Sequence, residues 1–70
     1  MNVLNEFNTI TTPMLERHLA IKQLTHYLHI KRSSASTGDK QNHRRATDII
    51  DQLTTEYGVE ALRQAQAEFL

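Results

Sequence analysis

Apolar residues along this chain recur at helical spacing in three separate windows. From Thr12 and Pro13 onward, Met14, Ile21, Leu24 and Leu28, with Ala20 and Tyr27 alongside, fall on one face of a helix that meets no further Gly or Pro before about Arg32. Thr12 can cap that start, and Pro13 suits the first helical position, where its missing N–H would have no partner anyway. The second window is the most regular: Ala46, Ile49, Ile50, Leu53 and Tyr57 form one stripe at i, i+3, i+4, i+7 spacing. Gly58 follows where a helix ends on a positive φ, which glycine adopts without steric cost. Val59, Leu62, Ala65 and Phe69, with Ala61, make a third short stripe that runs almost to the C-terminus.

Between the first two windows, Ser33 to Asp39 is small and polar. It reads as a loop, with Asp39 placed to cap the second helix. The pattern therefore predicts an all-α fold: an antiparallel helical hairpin of residues 13–32 and 40–57, with the loop at 33–39, closed by a third helix at 59–69. Residues 1–12 read as an N-terminal arm, with a short helical turn through Val3, Leu4 and Phe7. No strand alternation or internal repeat breaks this single domain.

The first helix carries a second apolar face, on which Leu15, Leu19 and Ile30 cluster with His26. Two apolar faces need two covers. The second and third helices supply one; the N-terminal arm or a second subunit supplies the other. Chain length bears on this choice, because 70 residues bury only about 60% of the surface the unfolded chain exposes. With no cysteine, neither a disulfide nor a thiolate metal site reinforces so thin a core. Oligomerisation is the expected substitute. Leu53, midway along the most regular stripe, is expected to be among the costliest side chains to truncate.

The lack of disulfides fits a reducing compartment, and no apolar run approaches the roughly 20 residues that span a bilayer. The N-terminus lacks the basic start and long apolar stretch of a secretory signal. The expected setting is cytoplasmic and off the membrane.

Net charge is zero, yet the chain is polarised. Residues 1–16 carry Glu6 and Glu16; residues 17–45 carry seven Lys/Arg against Asp39, a net of +6; residues 46–70 carry five acids against Arg63, a net of −4. A basic middle between acidic flanks points to an anionic partner, or to pairing within or between chains. Two features localise it. His18, Lys22, Thr25, His29 and Arg32 stack into one polar stripe along the first helix, which is either an ordinary solvated face or a contact strip. A hairpin would also bring Lys31 and Arg32 beside Lys40, His43, Arg44 and Arg45. Lys31 and Arg32 near a helix C-terminus suit the helix dipole, whereas positive charge at the start of the second helix opposes it. Local rules tend to break at functional sites, so this basic end is the leading candidate for binding an anionic partner.

Other chemistry is weaker. The string from Ser33 to Lys40 echoes a phosphate-binding P-loop but lacks its first glycine and a preceding strand. His26 and His29 fall on different stripes with no nearby Cys, Asp or Glu to complete a metal shell. Catalysis needs a pocket that three short helices have little room to form. Leu53, Gly58 and Val59 have the spacing of a helix-turn-helix, which would direct Arg63, Gln64 and Gln66 at bases, but Glu60 and Glu68 would then approach phosphates. The sequence is thus read as a small non-catalytic regulatory or inhibitory protein that needs no cofactor and docks, through the basic loop end and the stripe on the first helix, on a larger macromolecule with an acidic surface or on nucleic acid. The alternatives are a helix-turn-helix DNA-binding regulator and an oligomer that captures a small anion such as a nucleotide.

Overall fold

The computed structural model describes residues 12–70, and all the elements among them are helices. Helix α1 spans Thr12–Thr37, α2 spans Lys40–Tyr57 and α3 spans Val59–Phe69. The expected short turn through Val3, Leu4 and Phe7 lies outside the described residues.

Helix α1 is 26 residues long and continues past Arg32, so residues 33–37 are helix where a loop was expected. Serine and threonine weaken helices when their hydroxyls draw backbone groups into other conformations. Here the hydroxyls stay inside the helix: Ser34 Oγ donates to the Ile30 carbonyl, and Thr37 Oγ1 donates to the Ser33 carbonyl at 3.1 Å. The stop comes from Gly38. Its φ of +75° lets the Asp39 N–H turn back to the Ser34 carbonyl at 2.9 Å, the six-to-one closure of a Schellman motif. Only Gly38 and Asp39 then join α1 to α2. Asp39 caps α2 as expected, its carboxylate accepting from the Asn42 N–H at 3.1 Å and the Asn42 side-chain amide at 2.7 Å.

The α2–α3 corner is Gly58 alone. Its φ of 98° and ψ of 162° lie in a region that only glycine occupies without strain. Its N–H donates to the Thr54 carbonyl at 2.8 Å, and its carbonyl accepts from the Ala61 N–H at 3.2 Å. A Cβ built there would meet nothing within 4 Å, so any cost of a side chain is in the backbone and not in crowding. Gly58→Ala is therefore expected to destabilise the domain by about 1–3 kcal/mol. Denaturant melts check this; an unchanged midpoint would show that the corner relaxes into another conformation.

Leu24 is the centre of the core and has no exposed surface; Ile21, Ile50, Ala61 and Ala65 surround it. Half-buried Tyr27, Leu28, Leu53, Tyr57 and Leu62 pack around that cluster. Burying a leucine of this kind stabilises by about 1.5–3 kcal/mol. Leu53 thus lies at the edge of the core, and truncation of Leu24 is expected to cost more. Two residues assigned to core faces by their spacing are in solvent, Met14 at 58% and Val59 at 60% exposure. Met14 lies in the first turns of α1, where residues 13–19 are all exposed, and Val59 opens α3 at the corner. Helical periodicity gives the direction of a side chain but not whether a neighbour reaches it. No described helix is long and apolar enough to cross a membrane.

Candidate functional site

The last turns of α1 lie beside the first turns of α2, and a groove runs between them. One part, of about 460 Å³, is bordered by Ser34, Ala35, Gly38, Asp39, Lys40, His43 and Arg44. The adjoining part, of about 290 Å³, is bordered by Leu28, Lys31, Arg32, Ala35, His43 and Phe69. Ala35 and His43 border both parts. Leu28, Ala35 and Phe69 supply its apolar surface. Lys31 and Arg32 come from α1, and Lys40 and Arg44, one turn apart, come from α2. Half-buried His43 sits between the two rows.

Five of the six residues expected at the basic end therefore border one or both of these adjoining parts. Arg45 does not. It borders a separate depression of about 220 Å³ with His26, Tyr27 and Ile30. The helical geometry explains the split: Arg44 follows Lys40 by about one turn, whereas Arg45 lies on the face of α2 that carries Asn42 and Ala46, which border the same depression.

The extension of α1 removes the structural reason for two of these cations. Lys31 and Arg32 precede the last turn of α1, which contains no basic residue, so they are too far from the helix end to gain from its dipole. Lys40 remains at the unfavourable end of α2, in a first turn that has no acid, and Arg44 lies just beyond that turn. Among the described residues the ion pairs are Lys22 with Glu68 at 3.6 Å and Arg63 with Glu60 at 3.4 Å. No groove cation takes part in either. The nearest carboxylate along the chain, Asp39, is held by Asn42 in the α2 cap.

Phe69 is fixed from α1. The His29 ring lies 4.6 Å from it, tilted by 59°, and the Arg32 guanidinium lies 5.8 Å from its centroid. With Lys22 on Glu68, these contacts tie the end of α3 to α1. Of the expected stripe on α1, then, Lys22 and His29 contact α3, while His18 is exposed. The second apolar face also divides. Leu15 and Leu19 are 49% and 51% exposed, whereas Ile30 is half-buried and borders the Arg45 depression with His26. The His26 ring packs edge-on to Tyr27 at 5.2 Å.

Among the described residues no three His, Cys, Asp or Glu side chains gather as a metal would require. Arg63, Gln64 and Gln66 are exposed on α3, but Arg63 is paired with Glu60, and Glu68 is exposed on the same short helix. Sequence reasoning placed Leu28 and Phe69 in the core and did not find them, or Ala35, in the groove. The available signal was the end of the third stripe, where Phe69 has little helix left to cover it. The chain matches no protein-family model, no curated protein and no solved structure.

Proposed function

We propose that this chain is a small non-catalytic regulatory or inhibitory protein of the cytoplasm that docks on a larger macromolecule through the groove between α1 and α2. One observation carries the reading. Lys31, Arg32, Lys40 and Arg44 border this groove with one carboxylate, Asp39, among them; they have no ion-pair partner among the described residues and are not placed to stabilise a helix end. Unpaired like charges held together cost free energy that an anionic partner would recover. The α1–α2 pairing behind the groove is read as an antiparallel hairpin. Supporting this, residues 26 and 30 border a depression with residues 42 and 46, while Ile21 and Leu24 pack with Ile50.

The exposed Leu15 and Leu19 support self-association through the face they share with His26 and Ile30. Light scattering at micromolar concentration is expected to report at least a dimer, lost in Leu19→Asp. A monomeric mass that this substitution does not alter would remove self-association from the proposal.

The docking proposal is tested by capture from the native host with wild type, a Lys40→Gln/Arg44→Gln double variant and Arg45→Gln. The expected result is one partner held by wild type and Arg45→Gln and lost by the double variant. A partner lost only with Arg45→Gln would place docking on the other depression.

A further inference from the structure

We infer that the groove takes an acidic amphipathic helix of a partner protein, with apolar anchors on Leu28, Ala35 and Phe69 and carboxylates facing the cations on its sides. This deepens the docking proposal and rests on it. The groove unites two kinds of surface that different partners would use differently. Its apolar residues follow α1 from Leu28 to Ala35, about 10 Å at 1.5 Å per residue, and Gly38 extends it to about 15 Å. That length matches about ten residues of helix. Lys40 and Arg44 are separated by one helical turn, so carboxylates at i and i+4 of a partner helix meet them in register. Lys31 and Arg32 face carboxylates on the partner's other edge. An apolar stripe bounded by charge is the surface that captures amphipathic helices.

Two other anionic ligands fit less well. Single-stranded nucleic acid needs aromatic faces on which bases stack. Phe69 is the groove's only phenyl ring, and it is already engaged by His29 at 4.6 Å and Arg32 at 5.8 Å. A small phosphate would seek the N-terminal N–H groups of α2, where the Asp39 carboxylate already accepts from Asn42. The charge on the groove therefore suits an acidic polypeptide whose apolar side chains fill the floor.

The test is a selection from a random library of 16-residue peptides displayed for binding to the full chain, followed by fluorescence anisotropy on the peptides recovered. The expected peptides carry Asp or Glu at i, i+4 spacing around Leu, Ile, Phe or Met at i, i+3 or i+4. Their affinity should fall at least about tenfold with Ala35→Glu, which places a carboxylate on the groove floor at an exposed helical site, and with Lys40→Gln/Arg44→Gln. Arg45→Gln should bind as wild type does. Because apolar anchors share the binding, raising salt from 50 to 200 mM should weaken it severalfold, less than the about 50-fold loss of a single strand held by four phosphate contacts. A single-stranded oligonucleotide is measured beside the peptides. If it binds and Lys40→Gln/Arg44→Gln abolishes that binding, while no recovered peptide depends on the groove, the helix inference is overturned and docking at the groove stands. If neither peptide nor oligonucleotide binding responds to Ala35→Glu or to the double variant, both are overturned.

Discussion

Leu24→Ala is expected to cost this domain about 2–5 kcal/mol, which approaches or exceeds the whole stability of a chain this small. Leu24 is the one large side chain that is fully buried among the described residues, and it belongs to the cluster contributed by all three helices. Its removal leaves a cavity bordered by Ile21, Ile50, Ala61 and Ala65. The two alanines have no longer side chain to move into the space, so the site collapses poorly and the cost lies toward the upper end. Far-UV circular dichroism during urea unfolding measures it. Leu53→Ala, at the half-buried edge of the core, is expected to cost less. A larger loss at Leu53 than at Leu24 would place the centre of the core on α2 and contradict the packing.

The second large effect is expected from adding volume. Ala61 and Ala65 lie one turn apart on α3, and both have zero exposure. A methyl group at each position lets the α3 backbone approach α1 and α2, which a longer side chain would prevent. Ala61→Leu is expected to destabilise by about 1–3 kcal/mol or more, because the extra carbons must displace α3 or force strained rotamers. For a domain of this size, each kcal/mol lowers the melting temperature by about 4–8 °C. Ala67→Leu, on the exposed side of the same helix, provides the comparison and should change little. Equal melting of the two variants would mean that α3 is not seated as described.

Periodicity made the helices legible, since a stripe such as Ala46, Ile50, Leu53 and Tyr57 has a physical cause in the burial of one face. Glycine was legible for a similar reason: the backbone at Gly58 excludes other residues. Composition misled at residues 33–37. Hydroxyl side chains there favour a loop, but their hydrogen bonds to Ile30 and Ser33 remain within the helix, and a pattern-based reading has no means of choosing between those uses. Gly38, which ends α1, was hidden inside the loop it was thought to belong to.

The basic end was legible as charge but not as a groove. That charge placed Lys31, Arg32, Lys40, His43 and Arg44 together, yet adjacency in sequence also enlisted Arg45, whose direction differs from that of Arg44 by one step of the helix. Met14 and Val59 failed for the opposite reason. Both lie on the stripes their spacing defines, yet each is more than half exposed. Which partner reaches a face depends on helix length and on where corners fall, and that information is spread over the whole chain.

The central claim is that Lys40 and Arg44 serve recognition and not folding. Thermal melting of Lys40→Gln/Arg44→Gln, carried out on the same preparations used for partner capture, tests it most directly. Lys40 opposes the α2 dipole by a few tenths of a kcal/mol, and neither cation has an ion-pair partner among the described residues. The expected result is a melting temperature equal to or slightly above that of wild type, with the partner lost. A variant that melts several degrees lower and still holds the partner would show that the cluster belongs to the fold, and would contradict the placement of function in this groove.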